Sequence, residues 1–255
     1  MTKLATRVLI VDDDVDACHN LADILGDVGY NVSCAHDATE ALELMERQPF
    51  DVALLDFKLP GMDGLDLYRE IRRRFSDTVA MIITAYASAE TASEALDAGA
   101  WRVLPKPIDI SQLLPLVEEA GGQPLVMVVD DDPALCENLW SLLRDRGFRV
   151  GIAQTRDEAD QHLKRRDYKV VLIDMRLPGC DGSDIYRIVR RHAADARTVM
   201  ITGYRSEAAD LIDALMKEGA DAVCYKPFEV AALLETVARL TEPPSEPTWP
   251  SPWHL

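Results

Sequence analysis

Short apolar runs alternate along this chain with longer segments in which apolar residues recur every three to four positions. The run at 52–55 (VALL) is too short for a helix and is apolar on both faces, which is typical of a central parallel strand covered by helices on each side. The run at 7–11 (RVLIV) is also predicted to be a strand. The segment 15–27 has helical spacing, with Leu21 and Leu25 on one face. The alternation therefore predicts an open α/β sheet with right-handed crossovers.

The first half of the chain contains five such strand and helix units. Strands are expected at 7–11, 30–34, 51–55, 79–83 and 101–104, and helices at 15–27, 38–47, 64–74, 88–98 and 109–120. This order predicts a five-stranded parallel sheet with helices on both faces.

The second half repeats the first. DVALLDFKLPGMDG at 51–64 returns 118 positions later as KVVLIDMRLPGCDG at 169–182. Three further pairs match: RVLIVDDD with LVMVVDDD, VAMIITAY with RTVMITGY, and LPKPI with CYKPF. We therefore expect one domain at 1–122, a second at 123–241, and a Pro-rich, disordered tail at 242–255.

The join between the halves is short. Four residues, Gly121 to Pro124, can span at most about 14 Å when fully extended. The two domains are therefore expected to lie close together.

Composition limits the partners and the compartment. The net charge of −17 argues against a nucleic-acid surface, and the basic run 72–74 is interpreted as a solvated helix end. Five scattered cysteines form no metal or redox spacing, which suits a reducing compartment. Neither a secretory leader nor a membrane-spanning run is evident, so a cytoplasmic protein without a membrane partner is expected.

The candidate chemistry lies at the strand ends. Asp12 and Asp13 follow the first strand, Asp56 follows the third, Thr84 ends the fourth, and Lys106 follows the fifth. Carboxyl ends of parallel strands open on one edge of the sheet, where such folds bind ligands. The second half places the same residue types in the same order: Asp130, Asp131, Asp174, Thr202 and Lys226.

Three facing carboxylates repel one another, by about 4 kcal/mol per pair at 4 Å and an effective dielectric of 20. A hard cation such as Mg²⁺, which prefers oxygen ligands, would relieve this repulsion. Lys106 and Thr84 could contact phosphoryl oxygens, so the set suits phosphoryl transfer onto Asp56. Taken singly, each residue has an ordinary interpretation as a helix cap, a loop acid or a surface lysine. Their joint occurrence, in order and twice, favours the site.

The motifs VDDD, LLDFKLPGMDG, IITAY and LPKP resemble those of the response-regulator receiver domain of two-component signalling. The resemblance covers residues 7–120 and again 125–240. It implies two tandem flavodoxin-like (βα)5 domains, each accepting a phosphoryl group from a histidine kinase or phosphotransfer protein and signalling to an unknown downstream protein. A homodimer is possible.

The resemblance also implies roles for individual residues. Asp56 and Asp174 are the implied phosphoacceptors, and the remaining contacts to the phosphoryl group come from Thr84, Lys106, Thr202 and Lys226. The implied Mg²⁺ ligands are Asp12, Asp13, Asp56 and the Lys58 carbonyl in one half, and Asp130, Asp131, Asp174 and the Arg176 carbonyl in the other. One departure is that Val103 and Val223 stand where the family commonly has an aromatic residue.

Two other functions remain open from the residues. A metal-dependent phosphatase with an aspartyl-phosphate intermediate is superficially allowed by Asp12 and Asp14, although Asp16 breaks its usual motif. A scaffold that acts without phosphorylation is the other. For a receiver, the expected chemistry is limited to self-phosphorylation from small donors and autodephosphorylation, so we do not expect an enzyme.

Overall fold

The computed structural model describes residues 5–85, 89–203 and 209–242. The expected tail, apart from its first residue, therefore lies outside the described residues. Two tyrosines that follow the predicted site threonines, Tyr86 and Tyr204, lie outside them as well.

Domain 1 contains five strands and five helices that alternate along the chain. In order they are β1 (Arg7–Val11), α1 (Val15–Asp27), β2 (Asn31–Ala35), α2 (Ala38–Arg47), β3 (Val52–Asp56), α3 (Gly64–Arg74), β4 (Val79–Thr84), α4 (Ala89–Asp97), β5 (Arg102–Pro105) and α5 (Ile110–Gly122). All strand pairs are parallel, in the order β2-β1-β3-β4-β5.

Domain 2 repeats this architecture and adds a small hairpin. Its elements are β6 (Leu125–Val129), α6 (Pro133–Arg144), β7 (Arg149–Ala153), α7 (Arg156–Arg165), β8 (Val170–Asp174), β9 (Arg176–Leu177), β10 (Cys180–Asp181), α8 (Gly182–His192), β11 (Arg197–Thr202), α9 (Ala209–Glu218), β12 (Ala222–Tyr225) and α10 (Val230–Thr241). The main sheet is parallel, in the order β12-β11-β8-β6-β7. The predicted pair of doubly wound domains is confirmed, and only the two-residue strands β9 and β10 were not expected.

The alternation of side chains along β1 explains why the sheet is covered on both faces. Val8 and Ile10 point into a cluster with α1 and α5, whereas Leu9 and Val11 point into a cluster with α2 and α3. Because both sets are almost completely buried, the strand has to be apolar from Val8 to Val11. Within the described residues, no helix is long and apolar enough to cross a membrane.

The two domains are joined by even fewer residues than the sequence suggested. Helix α5 runs to Gly122 and β6 begins at Leu125, which leaves Gln123 and Pro124 between them. Domain 2 lies against domain 1 through its edge strand β7 and its helices α6 and α7.

Buried ion pairs hold this contact together. Asp51, which precedes β3, accepts hydrogen bonds of 2.7 Å from Arg149 and from Arg166. Nε of Arg166 also lies 2.9 Å from Oδ2 of Asp77, to which the Tyr168 hydroxyl donates at 3.3 Å. Burial alone would raise the pKa of Asp77, but its proximity to Arg166 holds that pKa below the ordinary value. The amino-terminal edge of the first sheet is therefore a charged docking surface.

Helix α6 and strand β7 add further contacts. Ser76 Oγ accepts a 3.0 Å hydrogen bond from the Ile152 amide on the open side of β7, and the Ser76 carbonyl accepts one of 3.1 Å from Trp140 Nε1. The guanidinium of Arg72 lies 4.2 Å from the Trp140 ring centroid and forms an ion pair with Glu137. The interpretation of residues 72–74 as a merely solvated helix end is therefore wrong for Arg72. Its side chain faces a partner domain that local sequence patterns do not reveal.

Candidate functional site

Three carboxylates meet at the carboxyl edge of the sheet in domain 1. Strands β1 and β3 are paired neighbours, with Val11 opposite Leu55, so the residues that follow them lie side by side. Asp12, Asp13 and Asp56 each place one carboxylate oxygen within 4.8 Å of the others. Asp12 and Asp56 are each 7% exposed, whereas Asp13 is exposed. The cluster is therefore recessed but open to solvent on one side.

Lys106 lies between two of these carboxylates. Its Nζ donates to Asp12 Oδ2 at 2.8 Å and to Asp56 Oδ2 at 2.9 Å. Burial lowers the pKa of Lys106, but these two hydrogen bonds outweigh it and raise the pKa above the ordinary value. The Lys106 amide also donates to the Thr84 carbonyl at 2.8 Å, which fixes the lysine beside the buried end of β4. The predicted site residues of domain 1 are thus together.

Glycines in the loop after β3 allow the chain to pass close to the carboxylates. Gly61 has a φ of +83°, a left-handed conformation that favours glycine. A Cβ at Gly64 would stand 2.1 Å from the carbonyl oxygen of Asp56. Gly179 and Gly182 repeat both features, with a φ of +78° and a Cβ position 3.1 Å from the equivalent carbonyl. The Leu-Pro-Gly-x-Asp-Gly motif is therefore needed for the backbone path beside the site.

Domain 2 builds the same arrangement. One carboxylate oxygen from each of Asp130, Asp131 and Asp174 again lies within 4.8 Å of the others. Lys226 Nζ donates to Asp130 at 2.7 Å and to Asp174 at 3.1 Å, and its amide donates to the Thr202 carbonyl at 2.7 Å. Burial is the largest influence on Asp174 and raises its pKa, although the hydrogen bond from Lys226 opposes this. The two sites therefore share one geometry.

The residues two positions after the strand-end aspartates border each site. The Lys58 amide lies 3.4 Å from Asp56 Oδ1, and the Arg176 amide lies 3.3 Å from Asp174 Oδ1. Each loop thus bends around the carboxylate, and this brings the backbone of Lys58 and Arg176 to the acidic cluster.

The third acid of each DDD run has a different role. Asp14 accepts hydrogen bonds from the amides of Asp16 and Ala17 and caps α1, and Asp132 caps α6 in the same way. Such caps satisfy amides that lack partners within the helix. Asp14 is therefore part of the helix start and not of the carboxylate cluster.

The charge balance of each site favours a cation. One lysine neutralises only part of the charge of three carboxylates, and all the side-chain atoms that could coordinate an ion here are carboxylate oxygens. Mg²⁺ sites typically combine oxygen atoms from one or two carboxylates with several water molecules. The residues present therefore fit the predicted metal.

The comparisons with known proteins agree with this geometry. The family model described as the response regulator receiver domain matches residues 8–118 and again residues 126–238. The chain belongs to the receiver domain family. It therefore consists of two tandem receiver domains of the kind found in two-component response regulators.

Individual relatives resemble either the whole chain or one receiver domain. A response regulator receiver protein of Anaeromyxobacter sp. (strain Fw109-5) is 35% identical over 92% of this chain and 94% of its own length. The response regulator protein PilR of Pseudomonas aeruginosa is 43% identical, but the match covers 45% of this chain and 26% of PilR. A CheY-like receiver domain structure from Methanospirillum hungatei JF-1 is 35% identical and covers 46% of this chain and 94% of its own, with a TM-score of 0.45.

One contact at the first receiver site was not expected from the sequence. The Nδ1 atom of His36 lies 3.2 Å from the Asp12 carbonyl oxygen. The second receiver domain has Gln154 at the equivalent position. Comparison of the two repeats at this position was the signal that could have revealed the contact.

Val103, where the family commonly has an aromatic residue, is half-buried against the core in this fold.

Proposed function

We propose that each receiver domain accepts a phosphoryl group, on Asp56 in domain 1 and on Asp174 in domain 2, with Mg²⁺ as the cofactor. The observation that carries this proposal is the bridging of two recessed carboxylates by one lysine in both domains. The phosphoryl donor is a histidine kinase or a phosphotransfer protein. The receiving chain then signals by contact with a further protein.

The metal ligands proposed for domain 1 are Asp12, Asp13, Asp56 and the carbonyl oxygen of Lys58. Those proposed for domain 2 are Asp130, Asp131, Asp174 and the carbonyl oxygen of Arg176. When bound, Mg²⁺ supplies positive charge to the phosphoryl oxygens as they transfer.

The aspartate acts as the nucleophile. A carboxylate oxygen of Asp56 forms a bond to phosphorus while the bond from phosphorus to the donor's imidazole nitrogen breaks, and that nitrogen keeps the electron pair. In this proposal Lys106 transfers its hydrogen bond from Asp56 to a phosphoryl oxygen, and the Thr84 hydroxyl donates a hydrogen bond to another phosphoryl oxygen. Lys226 and Thr202 have the same roles toward Asp174. The reaction depends on position and charge rather than on acid-base chemistry.

The sequence after β1 argues against the phosphatase alternative, because Asp16 breaks the motif of that class and Asp14 serves as the cap of α1. The chemistry we propose is therefore limited to self-phosphorylation from small donors and autodephosphorylation. We also propose a cytoplasmic location, which is consistent with five free cysteines.

Intact-mass analysis after treatment with acetyl phosphate tests the proposal. In Mg²⁺ we expect two labile phosphoryl additions, one in Asp56→Asn or Asp174→Asn, and none in the double variant. Asp160→Asn, which removes a surface aspartate paired with Lys164, is the control and keeps both additions. Equal labelling in EDTA, or labelling that survives in the double variant, would contradict the mechanism.

A further inference from the structure

An open cleft of about 790 Å³ lies between the two domains, beside their buried ion pairs. Domain 1 contributes the ends of α2 and α3 and the loops that follow them, and domain 2 contributes the start of α6, the end of β7 and helix α7. Pockets for small molecules commonly enclose about 300–1,000 Å³. The interdomain cleft therefore has the size of a small-ligand site.

The charge of the interdomain cleft is opposite to that of the chain. Six arginines line it: Arg69, Arg72, Arg73, Arg74, Arg165 and Arg166. Four carboxylates line it as well: Glu46, Asp77, Glu137 and Glu158. The lining side chains thus carry more positive than negative charge in a chain of net charge −17. Whether an arginine is available to an anion depends on how strongly it is paired.

Three of the arginines are engaged in holding the structure together. Arg166 is buried between Asp51 and Asp77, and Arg72 forms its ion pair with Glu137 across the domain boundary. Arg74 pairs with Glu46. Their charges are therefore balanced within the protein.

The other three arginines can bind a ligand without breaking a buried ion pair. Arg165 also contributes to the domain contact, since its Nη2 donates to the carbonyl oxygens of Met45 and Glu46 at 2.7 and 3.0 Å. Its charge is not balanced by an ion pair with any of the described residues. The side chains of Arg69 and Arg73 are 51% and 69% exposed, and their ion pairs are on the surface. Exposed pairs of this kind contribute little to stability. An anion can therefore replace them.

We propose that the interdomain cleft binds a small ligand with two or more phosphate groups, held by Arg69 and Arg73 of domain 1 and by Arg165 of domain 2. The planar guanidinium group matches phosphate oxygens in paired hydrogen bonds, which makes phosphate the best fit among common anions. Because the arginines lie on both walls, the ligand contacts both domains. Binding therefore stabilises their observed arrangement.

The sequence repeat offers matched controls. Arg73 on α3 corresponds to Arg191 on α8, and Arg165 on α7 corresponds to Arg47 on α2. Arg191 and Arg47 are likewise exposed, but neither lines the cleft. Substitution of either control removes the same charge from the chain and leaves the cleft intact.

Isothermal titration with pyrophosphate and with ATP tests the proposal, and adenosine serves as the phosphate-free probe. The titrations use the full chain in EDTA at low salt, because without Mg²⁺ the acidic receiver sites repel anions. We expect one saturable site for pyrophosphate and for ATP, and no binding of adenosine. Arg73→Ala and Arg165→Ala should each weaken binding about tenfold, the effect of one lost charge-assisted hydrogen bond. Arg191→Ala and Arg47→Ala should leave it unchanged.

Arg73→Ala is the decisive variant, because the only ion pair of Arg73 among the described residues is with Glu70 on its own helix. Its loss should leave the domain contact in place, as circular dichroism and small-angle scattering can verify. Absence of saturable binding at millimolar pyrophosphate would overturn the proposal. An equal loss in Arg73→Ala and Arg191→Ala would do the same, since it would indicate general charge attraction.

Discussion

Asp51 is the side chain whose loss should disturb the domain contact most. It accepts a 2.7 Å hydrogen bond from the Arg7 amide in its own domain, in addition to those from Arg149 and Arg166. Arg149 and Arg166 are 5% and 7% exposed at the side chain, so water cannot replace the lost carboxylate. Arg166 keeps Asp77 as a partner, but Arg149 keeps no carboxylate within 4 Å among the described residues.

Asp51→Asn should therefore destabilise the protein by about 3–5 kcal/mol, the usual effect of leaving one member of a buried ion pair without its partner. Whole domains are stable by about 5–15 kcal/mol. The variant should consequently lose a large part of the free energy of unfolding. Urea unfolding followed by circular dichroism measures the change, and small-angle scattering shows whether the domains separate.

Two further variants make the result interpretable. Asp184→Asn removes the partner of Arg187 from a pair whose side chains are 64% and 41% exposed, and should change stability by less than about 1 kcal/mol. Adding Arg149→Asn to Asp51→Asn removes the unpaired charge and should restore part of the loss. The reasoning fails if Asp51→Asn has no larger effect than Asp184→Asn, or if the effects of Asp51→Asn and Arg149→Asn simply add.

Three further outcomes are expected. Small-angle scattering should fit one fixed arrangement of the domains, and a profile that requires a broad ensemble of interdomain distances would count against the docked contact. Burial lowers the pKa of His162 below 6.5, so the unfolded chain binds a proton that the folded chain does not, and stability should fall as the pH drops below about 6.5. The variant His162→Leu introduces the residue type found at the equivalent position 44. Its urea midpoint should decrease less as the pH falls, and an unchanged pH dependence would exclude His162 as the cause. Beryllofluoride should alter hydrogen exchange more at 84–92 and 202–210 than at 101–104 and 222–225, because Val103 and Val223 have no ring to swing between buried and exposed positions. Changes confined to the fifth strands would refute this.

The fold and the members of each site could be predicted because local patterns determine them. The all-apolar strand before Asp56 requires helices on both faces, and the parallel strand order then brings Asp12 and Asp56 to one edge. Gly61 is needed for its left-handed backbone angle and Gly64 for its close approach to the Asp56 carbonyl, which is why both are visible as a motif. Each of these signals lies within a few residues of the feature that it predicts.

The domain contact could not be predicted in this way. Asp51 and Arg149 are 98 positions apart, and neither interrupts the periodicity of its own strand. A charged residue at a strand start looks the same whether it faces water or another domain. The same reason explains the wrong interpretation of Arg72, whose position at a basic helix end is typical of a solvated side chain.

The docked contact also determines how many domains can be stacked. It joins unlike surfaces of two similar domains, and such a head-to-tail contact would extend into a filament if every copy carried both surfaces. Lys169 stands where Asp51 stands in domain 1, so the second domain cannot bind the arginines of a third. Domain 1 has Asn31 and Gln48 where domain 2 has Arg149 and Arg166, so it cannot form these ion pairs with an Asp51 of another chain. Divergence at these three positions ends the stack at two domains and leaves the chain without a surface for open-ended polymerisation through this contact.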